Sequence, residues 1–119
     1  ALFIFIYLII SFEIKNFTKK YKSITCGDLV TKINENDIVV LDTREKAEYK
    51  KGHISNAILH DSSSSKKIDF NEVVIYDKDE LSSVSSAEKI SKNNSIKVLY
   101  LEGGIQSWTD NNFPLVEGK

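Results

Sequence analysis

The chain has 119 residues and a formal net charge of −1, and 41% of its residues are hydrophobic. This length and composition suit one globular domain with a modest core and argue against disorder. The absence of a net positive charge argues against a nucleic-acid-binding protein. With one cysteine and two histidines, we expect no internal disulfide, no structural metal site and no cofactor.

The N-terminal segment, residues 1–14, opens with the almost wholly apolar run ALFIFIYLIISF. As a helix, residues 1–12 would rise about 18 Å, which is too short to cross a bilayer core of about 30 Å. Three interpretations remain open: the end of a truncated transmembrane or signal segment, an interfacial anchor, or a core element. The lack of polar alternation favours the first, which predicts membrane association through residues 1–12.

The cellular compartment of the domain depends on which of these interpretations of the N-terminal segment holds. The lysines after it would place the domain in the cytoplasm beside a retained anchor, but a cleaved export signal would place it outside. Because the chain begins with Ala and contains no Met, we expect a fragment or a processed product.

The domain itself is predicted over residues 22–119. Residues 23–25 form a short extended piece, and Thr25 can cap a helix over residues 26–33. Residues 38–41, Ile-Val-Val-Leu, are a continuous apolar run of the length expected for a parallel strand buried on both faces. A short helix over residues 44–51 should follow, ended by Gly52.

The second half of the domain repeats this alternation. The apolar patterns predict strands at residues 57–59, 73–76 and 96–101 and helices at residues 83–93 and 105–110. Such alternation with short connections predicts an α/β fold, in which a mostly parallel central sheet is flanked by helices in three layers. Ligands of such sheets bind beyond the carboxyl ends of the strands.

The end of one of these strands has the sequence pattern of an anion-binding site. Residues 73–83, VVIYDKDELSS, predict a buried strand, a polar loop and a helix that begins near Ser82 and Ser83. Backbone amides and the helix dipole converge in such a loop. An enzyme using it would place a nucleophilic cysteine where the strand ends, with the thiolate stabilised by those amides. Here that position is Asp77, and LDTRE at residues 41–45 should lie near it.

Two further stretches resemble the signatures of the rhodanese-like domain family. Residues 38–59 contain Asp-x-Arg-Glu after a strand, then Glu-Tyr and Gly-His-Ile followed by Ala, and residues 98–114 contain a strand, Gly-Gly-Ile, a Trp and a Pro. The resemblance covers roughly residues 22–116 and implies one rhodanese homology domain. Members transfer sulfane sulfur from donors such as thiosulfate to thiophilic acceptors through a cysteine persulfide, and related members are dual-specificity phosphatases.

The chain departs from this family at the active-site loop. The active pattern is a Cys, five loop residues and an Arg or Ser at the helix start. Aligned here, Asp77 takes the cysteine position and Ser83 the helix-start position, and the loop between them is Lys78, Asp79, Glu80, Leu81 and Ser82. An aspartate cannot carry a persulfide, and the phosphatase variant also needs a cysteine. We therefore interpret the loop as degenerate, with no catalytic residue.

The charges of this loop support the same interpretation. Asp77, Asp79 and Glu80 place three carboxylates together, with only Lys78 to offset them. Like charges this close cost about 1 to 4 kcal/mol per pair, which disfavours binding of a divalent anion. Two positions remain open for the Asp77 carboxylate: it fills the amide cradle as an internal anion, or it points to solvent and caps the turn. A third use of the loop would be to capture a cation or a basic peptide.

Three residues outside the loop are predicted to support the site. Asp42 and Arg44 should brace the loop or pair with each other rather than react. His53 is expected to be a hydrogen-bonded scaffold residue rather than a base.

Two classes of function follow. The first is a catalytically silent rhodanese-like domain that acts as a binding or regulatory module with an unknown protein partner. The second is a sulfurtransferase of the thiosulfate sulfurtransferase type, which either uses Cys26 in an unexpected way or bears that assignment through its family alone. The missing cysteine favours the first.

Overall fold

Five strands and four helices make up the computed structural model, which describes residues 21–35, 38–64 and 66–118. In chain order they are β1 (Tyr21–Ile24), α1 (Cys26–Asn34), β2 (Val39–Asp42), α2 (Lys46–Lys51), β3 (Ile58–Leu59), β4 (Glu72–Tyr76), α3 (Glu80–Asn93), β5 (Lys97–Leu101) and α4 (Gly104–Asp110).

The strands form one parallel sheet in the order β1-β5-β4-β2-β3. β4 lies at its centre, where Val73 pairs with Val39 on one side and with Val98 on the other. The predicted α/β fold with a mostly parallel sheet is thus confirmed. The extended piece predicted at residues 23–25 proves to be an edge strand, β1, because it pairs with β5 at the other end of the domain.

The core lies on both faces of this sheet. Successive residues of a strand point to opposite faces. Val73 and Ile75 therefore pack with Ala87 and Ile90 of α3, whereas the other residues of β4 face α1, α2 and α4. This explains why residues 73–76 of β4 are an unbroken apolar run, since each such side chain contributes about 1.5 to 3 kcal/mol when buried.

Helix boundaries were predicted correctly where a side-chain cap had been recognised. Thr25 caps α1, and its hydroxyl accepts a hydrogen bond from the amide of Asp28 at 3.2 Å. The helix predicted at residues 44–51 begins instead at Lys46, because Asp42 accepts a hydrogen bond from the amide of Arg44 at 2.8 Å and holds that residue in a turn.

The prediction that α3 begins near Ser82 and Ser83 was wrong. The helix starts at Glu80 because the carboxylate of Asp79 caps it, accepting a hydrogen bond from the amide of Ser82 at 2.9 Å. The loop after β4 is consequently shorter than the five residues expected from the family pattern.

The predicted membrane association concerns residues 1–12, which lie outside the described residues, so it stays a prediction. Within the described ranges, no helix has both the length and the apolar character needed to cross a bilayer.

Candidate functional site

The carboxyl ends of β2 and β4 bring Thr43 and Asp77 together. These strands are neighbours, and Asp42 lies opposite Tyr76 in the register, so the residues that follow emerge at the same edge of the sheet. Thr43 Oγ1 lies 2.7 Å from Asp77 Oδ2. Ser86 of α3 places its hydroxyl 3.3 Å from the same carboxylate oxygen and 3.0 Å from the Thr43 hydroxyl. We call Thr43, Asp77 and Ser86 the hydroxyl–carboxylate cluster.

The remaining polar atoms of Asp77 are also bonded within the protein. Its Oδ1 accepts a hydrogen bond from the amide of Lys78 at 2.7 Å. Its own amide donates to the hydroxyl of Ser83 at 2.9 Å, and its carbonyl accepts from the amide of Ile105 at 2.9 Å. The carboxylate is therefore held from inside the protein, by two hydroxyls and one amide rather than by a ring of amides.

The other two carboxylates of the loop have separate partners. Hydrogen bonds from the amide and then the hydroxyl of Ser82 lower the pKa of Asp79. Glu80 Oε1 accepts a hydrogen bond from the amide of Gly103 at 2.6 Å. Across residues 21–35, 38–64 and 66–118, no three His, Cys, Asp or Glu side chains are placed to hold a metal ion.

The start of α4 packs closely against this loop. Gly104 has a positive φ of 62°, and a Cβ built on it would lie 2.6 Å from the carbonyl oxygen of Asp77 and 2.8 Å from that of Asp79. A side chain at this position would push the helix away from the loop. The glycine therefore permits the amide of Ile105 to reach the Asp77 carbonyl.

A cleft of about 420 Å³ opens beside the hydroxyl–carboxylate cluster. It lies between the residues that precede and begin α2 and one face of α3. Its lining combines hydroxyl groups, charges of both signs and one leucine, and consists of Thr43, Arg44, Glu45, Glu48, Ser62, Asp77, Lys78, Leu81, Ser82, Ser85, Ser86 and Lys89. Four of the seven predicted loop residues, Asp77, Lys78, Leu81 and Ser82, line it.

Asp42 and Arg44 form a buried ion pair with an N–O distance of 2.8 Å. The guanidinium also donates to the carbonyl of Gly52 at 2.6 Å and lies 5.7 Å from the ring centroid of Tyr76. In the described part of the chain, neither side chain forms a hydrogen bond with residues 77–83. The pair fixes the connection from β2 to α2, and Arg44 reaches the wall of the cleft.

The buried network also affects Tyr76, which comes directly before Asp77. Burial first, and then the negative charge of Asp42, raise the pKa of the Tyr76 hydroxyl far above its usual value. The hydroxyl oxygen accepts a hydrogen bond from the amide of Ile54 at 3.1 Å.

His53 lies in the scaffold and does not line the cleft. Its Nδ1 is 2.7 Å from the carbonyl oxygen of Tyr49, and its ring stacks on the Tyr49 ring with centroids 3.8 Å apart. Its backbone pairs with Val116. These contacts connect α2 to the C-terminal segment.

Of this cluster, Ser86 was missing from the predicted site, and Thr43 was placed near it only as part of LDTRE at residues 41–45. Thr43 carried a usable signal, because it directly follows a buried strand of a parallel sheet. Ser86 carried a weaker one, since it lies one helical turn beyond Ser83. Cys26, by contrast, is buried with its Sγ 3.6 Å from the hydroxyl of Ser107, and it is not part of the cleft.

Comparison with known proteins gives consistent matches. The family model described as "Rhodanese-like domain" matches residues 25–111. The protein YibN of Escherichia coli K12 is 32% identical over 113 aligned residues, which cover 88% of this chain and 79% of YibN. A protein of Buchnera aphidicola subsp. Schizaphis graminum is 31% identical, covering 92% of this chain and 80% of that protein.

Solved structures match the fold. A rhodanese-related protein from Thermoplasma volcanium has a TM-score of 0.68 and 29% identity, covering 81% of this chain and 98% of its own. A thiosulfate sulfurtransferase from Pseudomonas aeruginosa has a TM-score of 0.74 at 22% identity, covering 82% of this chain and 19% of its own, and this likeness concerns the fold alone. Because the family model spans most of the chain and the fold agrees, the chain belongs to the rhodanese-like domain family.

Proposed function

We propose that this protein is a catalytically silent rhodanese-like domain that acts as a binding or regulatory module. The observation that carries the proposal is Asp77, whose carboxylate stands at the end of β4, where the family pattern has the nucleophilic cysteine. Sulfur transfer through a persulfide needs a thiolate at this position. A carboxylate offers no sulfur atom to carry the transferred group.

The hydrogen bonds of the loop support the same conclusion. An active loop directs free backbone amides at a bound anion. Here the amide of Lys78 donates to the Asp77 carboxylate, and the amides of Ser82 and Ser83 donate to Asp79. These donors are occupied by the protein's own acceptors and are not available to thiosulfate.

The electrostatic field of the loop disfavours the donor as well. Thiosulfate carries two negative charges. Of the three loop carboxylates, Asp77 lines the cleft that thiosulfate would enter, and Asp79 and Glu80 follow it in the same loop and helix start. Their hydrogen bonds satisfy them individually but leave their charges in place. Unit charges about 4 Å apart repel by roughly 1 to 4 kcal/mol near a protein surface, so each close carboxylate weakens binding of the donor.

The alternative is a sulfurtransferase that uses Cys26. This thiol follows β1, which is separated from β4 by β5, and it is buried against Ser107 of α4. A nucleophilic cysteine needs access to the donor and a neighbouring group that stabilises its thiolate. The Cys26 side chain is 3.6 Å from a neutral hydroxyl, and it does not line the cleft.

A thiosulfate:cyanide sulfurtransferase assay tests the proposal. Wild type and Cys26→Ser should both give the rate of the buffer blank, while an active sulfurtransferase in the same buffer gives turnover. Turnover by wild type that disappears in Cys26→Ser would establish the alternative and overturn the silent assignment.

A further inference from the structure

We propose that the cleft between α2 and α3 binds a short extended peptide segment that carries both a basic and an acidic side chain, presented by a partner protein. This inference rests on the proposed role of the domain as a binding module. It depends on the shape of the cleft, the sign of the exposed charges on each of its two walls, and one exposed leucine.

The α3 wall gives the cleft its length. Ser82, Ser85 and Lys89 line it at the three- and four-residue spacing of one helix face. At 1.5 Å per residue, the face from Ser82 to Lys89 runs for about 10 Å. An extended chain advances about 3.3 Å per residue, so this length matches about three peptide residues. The volume of about 420 Å³ is also within the range of ordinary ligand sites.

The exposed charged side chains of the two walls have opposite signs. Glu45 and Glu48 stand on the α2 side, and Lys78 and Lys89 stand on the α3 side. All four are exposed, and among the ion pairs of residues 21–35, 38–64 and 66–118 none involves them. A ligand with one kind of charge would meet repulsion from one wall. A segment with both kinds can place its basic group beside the glutamates and its acidic group beside the lysines.

The apolar contact and the hydroxyls favour a peptide over a small zwitterion. Leu81 is 82% exposed at the edge of the cleft, more than any other large hydrophobic side chain in the described ranges. An exposed apolar side chain beside a polar cleft can pack against a side chain of the ligand. The hydroxyl of Ser85 can donate to a peptide carbonyl.

Binding can be measured on the full 119-residue chain by nuclear magnetic resonance and fluorescence anisotropy. The probes are blocked tetrapeptides that contain one lysine, one glutamate, one leucine and one serine in every order, with two-lysine and two-glutamate sets as charge controls. The inference predicts saturable binding by at least one mixed-charge order, with amide shifts concentrated at Leu81, Ser85 and Lys89. The charge controls should bind more weakly. Absence of saturable binding, or shifts concentrated elsewhere, would overturn it.

A charge-reversal variant sharpens this experiment. The double variant Glu45→Lys and Glu48→Lys should weaken the mixed-charge peptide about tenfold, since two attractive contacts become repulsive. The matched control, Glu102→Lys with Glu117→Lys, changes the net charge equally at exposed positions outside the cleft and should bind like wild type. Equal loss in both variants would contradict a specific site.

The outcomes separate this inference from the proposed function. If no peptide binds and the sulfurtransferase assay stays at the rate of the buffer blank, only the peptide site is overturned. Cysteine-dependent turnover overturns the silent assignment whatever the peptide result.

Discussion

Thr43 and Asp77 are 34 residues apart in sequence, yet the hydroxyl of one lies 2.7 Å from the carboxylate of the other. The contact joins the ends of β2 and β4 at the edge of the cleft. It also gives the Asp77 carboxylate a partner inside the protein, at the position where we propose that this chain has replaced the family's cysteine. Stability and the proposed chemical silence therefore depend on the same side chain.

Removing the Thr43 hydroxyl tests this contact. Thr43→Val keeps the shape of the side chain but leaves Asp77 Oδ2 without its shortest side-chain donor. Hydrogen bonds to charged groups are worth about 1.5 to 3 kcal/mol, and partial exposure reduces this, so we expect the free energy of unfolding to fall by about 1 kcal/mol in urea titration. Thr31→Val, whose hydroxyl contacts an exposed helical carbonyl, is the control. Equal effects of the two changes would show that the contact contributes nothing.

The close approach of α4 to the loop predicts a strong effect of Gly104→Ala. The new Cβ would lie within 3 Å of two carbonyl oxygens, and the positive φ is itself unfavourable for alanine. We expect a loss of about 2 kcal/mol or more in the free energy of unfolding, measured by denaturant titration.

Gly27→Ala is the matched control for this change. Gly27 lies in α1, and no neighbouring atom is within 4 Å of the place that an alanine Cβ would occupy. Alanine should therefore stabilise the helix by up to about 1 kcal/mol. A stable Gly104→Ala protein would mean that the loop does not need the glycine contact.

The buried ion pair gives a third prediction. Arg44→Ala leaves the carboxylate of Asp42, which is 0% exposed, without its cation. Breaking a buried pair in this way costs about 3 to 5 kcal/mol, which thermal and urea unfolding would both detect. Lys97→Ala removes an exposed partner of Glu72 and should cost less than about 1 kcal/mol. A small effect of Arg44→Ala would indicate that the pair is hydrated and weak.

Tyr76 predicts how stability changes at alkaline pH. Burial and the charge of Asp42 raise its pKa in the folded state, whereas in the unfolded state it titrates near pH 10. The unfolded state therefore loses a proton that the folded state retains, and the free energy of unfolding should fall as pH rises above about 10. Urea titrations from about pH 8 to pH 11 would measure the slope.

One tyrosine variant and one control variant show whether Tyr76 causes this slope. Tyr76→Phe should be less stable near neutral pH, since it loses the hydrogen bond from Ile54, but it should depend less on alkaline pH. Ser91→Ala, which removes a buried hydroxyl that does not titrate in this pH range, should leave the slope unchanged. A slope that is unaffected by Tyr76→Phe would assign the effect to other groups.

Local sequence signals sufficed for most of the fold. The runs at residues 39–41 and 73–76 are apolar and β-branched because both faces of the sheet are covered, and this is visible without tertiary information. Thr25 likewise marked the start of α1 through its side-chain cap, whereas Gly52 ends α2 with an extended φ of 173° that does not require a glycine. β1 was harder, since its four residues become a strand only through pairing with β5.

The site was predicted less completely because its contacts are not local. Asp79 followed by Glu80 is a helix-start signal, but the expected five-residue loop implied a later start. The contacts from Thr43 to Asp77 and from Glu80 to Gly103 connect residues far apart in sequence, and only the assembled sheet brings them together. The sequence pattern therefore predicted which edge of the sheet carries the site, but it did not predict which residues contact Asp77.

Intact-protein mass spectrometry of the reduced, folded chain after thiosulfate treatment tests the central claim most directly. An active thiosulfate sulfurtransferase treated in parallel serves as the positive control. The account predicts an unchanged mass for wild type and for Cys26→Ser, because the thiol of Cys26 is buried and the loop offers a carboxylate in place of a thiolate. A mass gain of one sulfur atom on wild type, absent from Cys26→Ser and accompanied by turnover, would contradict it.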